Sequence, residues 1–180
     1  MRINYEIAYE CCAQVAKENE LYYPLDVFIL VKSYGLKVIS YSDAAKRKNC
    51  KVDDFIEISI YGFMHRDKNS PNAIIYYNDQ HPLGTIRFTL LHELAHYLMD
   101  HREDNEKNDK LANCFARNLI APVSICKALS LSNIYDISNY FNITLSAAQT
   151  RINLLNDDVR YLYRLDVHPI IHCRPLATVY

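Results

Sequence analysis

The stretch Phe88-Thr89-Leu90-Leu91-His92-Glu93-Leu94-Ala95-His96-Tyr97-Leu98-Met99 constrains the chain more than any other. No glycine or proline interrupts Thr85 to Asp100, and strong helix formers fill it, so a helix is predicted over 85–101. A helix stacks His92 and His96 a single turn apart, close enough for both to grip one metal ion. Glu93 then lies about 100° further round the helix. From there its carboxylate can reach a water on the open side of such a metal. Spacing alone also fits two histidines decorating a half-buried helix, so the rest of the chain has to decide.

A catalytic zinc site takes three protein ligands and leaves one position open. Downstream, the segment Glu103 to Asn113 is rich in carboxylates. Asp109 and Asn113 stand one turn apart on a helix predicted over 106–120, so Asp109 can bind metal while Asn113 orients a histidine from behind. Glu106 shares that face and is an alternative third ligand. Each of these acids can equally be a solvated charge at a helix start, where acids are favoured. His101 is expected on a different face, exposed and not a ligand. His168, His172 and Cys173 lack the paired spacing of a metal site and are read as structural.

Before this helix the pattern alternates between helix and strand. Ile3, Ile7, Ala8, Cys11, Cys12 and Val15 form a helical stripe over 3–19, and Pro24 opens a second helix, Leu25 to Tyr34, that Gly35 can end. Leu36 to Tyr41 reads as a strand and the polar run Asp43 to Asp54 as a solvated helix or loop. Phe55 to Tyr61, with Ile56, Ile58 and Ile60 on one face, reads as the cleanest strand. Asp67 to Asn72 is a turn cluster, and Ala73 to Asn78 is a second strand expected to pair antiparallel with the first. Further helices are predicted near 122–130, 134–141 and 144–156, while Asp157 to Tyr180 shows no clear period. The chain is therefore expected to be α+β, a small sheet followed by a helical second half.

Composition excludes several classes. The net charge of −1 gives no global field to steer the chain to nucleic acid or an anionic membrane. No apolar run approaches the roughly 18 residues of a membrane span, and Met1 to Glu6 has no apolar signal core. The six cysteines form no CxxC pair and are expected as reduced, mostly buried thiols, which implies a cytoplasmic location.

Residues 134–155 carry a second signal. Ile137, Tyr140 and Phe141 make one apolar stripe, Asn142-Ile143-Thr144 a short turn with Thr144 as N-cap, and Ala147, Ala148, Ile152 and Leu155 another stripe. This is the shape of a helix-turn-helix. A DNA-reading helix needs cations near its exposed end, and beside Thr144, Ser146, Gln149 and Thr150 the second helix offers only Arg151. A packing hairpin is the preferred reading, and direct nucleic-acid binding is not expected.

Across roughly residues 20–155 the sequence resembles the ImmA/IrrE metallopeptidases. The resemblance rests on Tyr23-Pro24-Leu25-Asp26-Val27 with Tyr34-Gly35-Leu36-Lys37-Val38, on Ile74-Ile75-Tyr76-Tyr77-Asn78, on Ile86-Arg87-Phe88-Thr89-Leu90-Leu91-His92-Glu93-Leu94-Ala95-His96-Tyr97-Leu98, and on Ala112-Asn113-Cys114-Phe115-Ala116 with Leu119-Ile120-Ala121-Pro122. It implies a zincin-type helical core packed against a small, mostly antiparallel sheet, with residues 1–130 as peptidase core, 131–156 as a helix-turn-helix-like segment of the same domain and 157–180 unassigned. It also implies zinc or another divalent metal on His92 and His96. The family places its third ligand, normally glutamate, four residues before the asparagine, which is Asp109 here and a departure from the pattern. Ala95 for the usual glycine is a milder one. Glu93 is then the catalytic residue, and the implied substrate is a helix-turn-helix (Cro/CI-like) repressor whose cleavage relieves transcriptional repression. The alternatives are a non-catalytic binding protein on the same scaffold and a DNA-binding regulator acting through 134–155.

Overall fold

The computed structural model describes residues 3–66, 73–103, 105–164 and 172–173. It is α+β, as expected. Helix α1 (Glu6–Glu18) buries Ala8, Cys12 and Val15 of its predicted stripe together with Tyr9 and Ala16, whereas Ile7 of that stripe is exposed. Helix α2 (Val27–Ser33) starts at Asp26, whose side chain accepts a hydrogen bond from the Ile29 backbone N–H. Strand β2 (Lys37–Ser40) runs directly into helix α3 (Tyr41–Lys48), capped by the Ser40 side chain. Ahead of these, Tyr22–Tyr23 forms the short strand β1.

The strand expected over Phe55 to Tyr61 is not there. Asp53–Ile56 is a short helix, α4, and the strand, β3, follows at Gly62–Arg66. The alternation of Ile56, Ile58 and Ile60 is misleading: Ile58 and Ile60 are 65% and 60% exposed, so there is no buried face for it to match. Phe55 decides the conformation. It is buried among Tyr41, Phe63 and Tyr76, an aromatic cluster assembled from four separate segments. The Asp54 carboxylate also accepts the Lys51 backbone N–H and supports the helical turn.

Strand β4 (Ala73–Tyr77) pairs antiparallel with β3, but its other side pairs parallel with β2. The sheet order is β2-β4-β3, so the sheet is mixed and not mostly antiparallel. Parallel pairing between β2 and β4 joins segments far apart in sequence, which no local pattern announces. The turn cluster at 67–72 lies outside the described residues.

Helix α5 (Leu83–Leu98) is the hub. Leu90, Leu91, Leu94 and Ala95 have no solvent exposure, and the helix contacts α2, β3, β4 and helix α6 (Glu106–Ile120). Two glycines permit its closest approaches. A Cβ on Gly62 would meet Thr89 Cγ2 at 2.7 Å and the Tyr76 carbonyl oxygen at 2.8 Å, so only glycine lets β3 lie against α5 at that point. A Cβ on Gly84 would come within 3.1 Å of Ile143 Cα and Thr144 N, backbone of the turn at 142–144.

Helices α7 (Val123–Ala128), α8 (Ile134–Phe141) and α9 (Leu145–Arg164) complete the second half. Thr144 Oγ1 accepts the Ala147 N–H, the cap read from the sequence. Helix α9 continues through residues 157–164 that the sequence left unassigned, and His172–Cys173 forms β5, parallel to β1. His168 and the side chains of His172 and Cys173 lie outside the described residues. Cys11, Cys12, Cys50, Cys114 and Cys126 are free thiols, Cys12, Cys114 and Cys126 being buried. Among the described residues, no helix is long and apolar enough to cross a membrane.

One buried ionic network ties α1, α6 and α9. Asp158 accepts hydrogen bonds from Tyr9, Arg117 and Arg151, and Arg151 is fully buried. Burial pushes the Asp158 carboxyl up, but the Arg117 hydrogen bonds and the charges of Arg151 and Arg117 outweigh it and hold it below the usual carboxylate range. A carboxylate whose folded pKa is depressed contributes stability above its unfolded pKa of about 3.9, and that stability is lost as pH falls through the lower folded value. Asp158→Asn is expected to cost about 3–5 kcal/mol at neutral pH, because Arg151 is left buried without its countercharge. Denaturant melts from pH 7 to 2 check this: the variant should be weaker at pH 7 and lose less on acidification, and an unchanged acid slope counts against the assignment.

Candidate metal centre

Buried leucines fix the rotation of α5, and with it the direction of His92 and His96. Their Nε2 atoms converge at 3.0 Å. Asp109, in the first turn of α6, brings a carboxylate oxygen to 3.6 Å from His96 Nε2. The three ligand atoms lie within 4.8 Å of one another. Zinc ligated at about 2.0–2.2 Å sets neighbouring donors roughly 3.3–3.6 Å apart in a tetrahedron, so the pairs at 3.0 and 3.6 Å need a shift of at most a few tenths of an ångström to surround one ion. The donor set fits a divalent cation.

Glu106, the alternative third ligand, is not part of this group. Its carboxylate pairs with Lys110 at 2.5 Å on the exposed side of α6. Asp109 reaches the histidines despite its short side chain, in keeping with the close packing of α5 on α6, on which Ala95, Ala112 and Ala116 are fully buried small residues.

Each histidine is held from behind. His92 Nδ1 lies 3.0 Å from Asn113 Oδ1, so it donates there and leaves the Nε2 lone pair facing the centre. His96 Nδ1 lies 3.1 Å from His101 Nδ1. His101 was expected on another face, and this corrects that expectation. Helix α5 stops at Leu98, Asp100 takes a left-handed conformation (φ +50°), and the His101 N–H returns to the His96 carbonyl at 2.9 Å. The reversal folds the half-buried His101 ring edge-on against His96, 5.0 Å between centroids. Arg66, at the end of β3, was also missed: it donates to the His96 carbonyl at 2.7 Å and to Asp100 at 2.9 Å, clamping the helix end.

Burial lowers the pKa of His92 against the opposing pull of Asn113 and Asp109. Burial, then the neighbouring His92, His101 and Arg66, brings His96 down to about 4. Both imidazoles are therefore neutral at pH 7, the form a metal ligand requires.

These residues line a cleft of about 1330 Å³ in which Glu93 also sits. Its lining also includes Ile58, Tyr61 and Phe63 from around the start of β3, and Thr144, Ser146, Ala147 and Thr150 from the start of α9. A histidine pair joined by a carboxylate beside an open cleft has the layout of a hydrolase site served by a metal. Residues 56–153 match the model of the IrrE N-terminal-like domain, peptidase M78, and the chain belongs to that peptidase family. A search of curated proteins gives no match.

If the three groups hold one ion, His92→Ala should take bound zinc from about one per chain to near zero. Asn113→Ala should weaken binding about 10–100-fold while keeping the stoichiometry. Zinc titration against a chromophoric chelator reads both, and full retention of zinc by His92→Ala would count against the site.

Proposed function

We propose that the protein is a metal-dependent endopeptidase, with zinc or another divalent ion held by His92, His96 and Asp109. The observation that supports this most is the convergence of those three ligand atoms within 4.8 Å, on a cleft that also contains Glu93. When bound, the ion acidifies a water and polarises the scissile carbonyl. The protein's own groups do the rest. His92 and His96 offer Nε2, Asn113 keeps His92 oriented, and Asp109 supplies negative charge. Glu93 accepts a proton from the attacking water and passes it to the leaving amine.

The substrate we propose is a helix-turn-helix repressor, whose cleavage would relieve transcriptional repression in the cytoplasm. This rests on the family resemblance, together with the presence of a cleft of about 1330 Å³ beside the three ligand groups. A DNA-binding role for residues 134–155 loses support from Arg151, the one cation in the predicted reader segment, which is fully buried on Asp158. The start of that helix faces the cleft. A non-catalytic binding protein on the same scaffold is the remaining alternative.

Incubation of the zinc-loaded protein with a small helix-turn-helix repressor, followed by mass spectrometry of fragments, tests the proposal. Glu93→Gln should slow cleavage about 10²–10⁴-fold while retaining zinc. Cleavage that proceeds undiminished in Glu93→Gln would remove it from the mechanism, and intact repressor under every divalent metal would leave only the binding role.

A further inference from the structure

His96 has two ring nitrogens, and the fold gives each a different neighbour. Nε2 faces His92 Nε2 at 3.0 Å and the Asp109 carboxylate at 3.6 Å, whereas Nδ1 faces His101 Nδ1 at 3.1 Å. One proton has to lie between the two Nδ1 atoms for that contact to be a hydrogen bond. A neutral imidazole carries a single N–H, so the location of that proton decides which nitrogen of His96 keeps a lone pair. If His96 Nδ1 holds it, Nε2 is free to bind a cation. If His101 Nδ1 holds it, the proton of His96 is on Nε2, where the 3.0 Å contact to His92 Nε2 is a hydrogen bond, and a cation has to displace that proton before it can bind.

We propose that His101 is a positioning residue that accepts the Nδ1 proton of His96 and thereby fixes the tautomer that presents Nε2 to a divalent cation. This rests on the reading that His92, His96 and Asp109 hold such an ion. Asn113 makes the corresponding contact to His92, so each histidine has its own partner from a separate element. His101 is not placed as a fourth ligand, since its Nδ1 meets the nitrogen of His96 turned away from His92 and Asp109. Its position is set by the backbone. The His101 N–H binds the His96 carbonyl, Asp100 supplies the left-handed turn, and Arg66 and Arg102 both pair with the Asp100 carboxylate.

Zinc affinity by chelator competition on the full chain, in the wild type, His101→Phe and His101→Asn, tests the assignment. His101→Phe should bind one zinc about 10–100-fold more weakly. His101→Asn, whose amide oxygen can take the place of Nδ1 as acceptor, should recover most of that loss. Absence of zinc uptake by the wild type overturns the metal reading and this one with it. Wild-type uptake with unchanged affinity in His101→Phe overturns the His101 assignment alone, as does failure of His101→Asn to recover. Loss of one nitrogen donor from the cobalt-substituted spectrum of His101→Phe would make His101 a ligand and also overturn it. Imidazole nitrogen NMR of the zinc-loaded wild type needs no variant to fold. The proton is expected at Nδ1 of His96 and Nε2 of His101, and the opposite pair of tautomers overturns the proposal.

Discussion

The packing of α5 on α6 is the constraint on which the candidate centre depends. Two of its groups come from α5 and the third from α6, so their separation is the separation of two helices. Aspartate tightens the requirement, because it is one methylene shorter than the glutamate its family prefers. The alanines Ala95, Ala112 and Ala116, all without solvent exposure, put little volume on these helices. Leu90, Leu91 and Leu94 then lock the rotation of α5, each contributing roughly 1.5–3 kcal/mol by burial. Turning the helix by one residue, about 100°, would carry both imidazoles out of the cleft and bring leucines into water. Core packing therefore sets the geometry of a polar site.

Helices α5, α6 and α8 were legible in the sequence, α5 because no breaker interrupts Thr85 to Asp100 and α8 because Ile137, Tyr140 and Phe141 share one face. The histidine pair was legible for the same reason, since its spacing means something only on a helix. What could not be read depended on partners distant in the chain. Phe55 is drawn into a cluster with Tyr41, Phe63 and Tyr76, and this overrides a local alternation that looks like strand. The parallel pairing of β2 with β4 is equally non-local. His101 was lost to a boundary error of three residues: a helix continued to 101 points it elsewhere, whereas a helix that stops at Leu98 folds it back. Between Asp109 and Glu106 the sequence left the choice open, and the Lys110 pairing of Glu106 separates them in space.

Residues 134–155 show how little a local pattern says about use. Their stripes and their Thr144 cap form as read, yet the face that would meet a DNA groove borders the cleft instead. The single cation of the reader segment is tied into an interior network with Asp158, Arg117 and Tyr9. A segment with the outline of a nucleic-acid reader is thus a wall of the candidate site.

That wall is joined to its floor at Gly84, where the missing side chain lets the backbone of the 142–144 turn rest on the first turn of α5. Backbone seated on backbone has no rotamer to relax, so any atom added between the two has to be met by movement of the chain itself. A side chain at position 84 would therefore press on the turn and displace this edge of the cleft by a few tenths of an ångström.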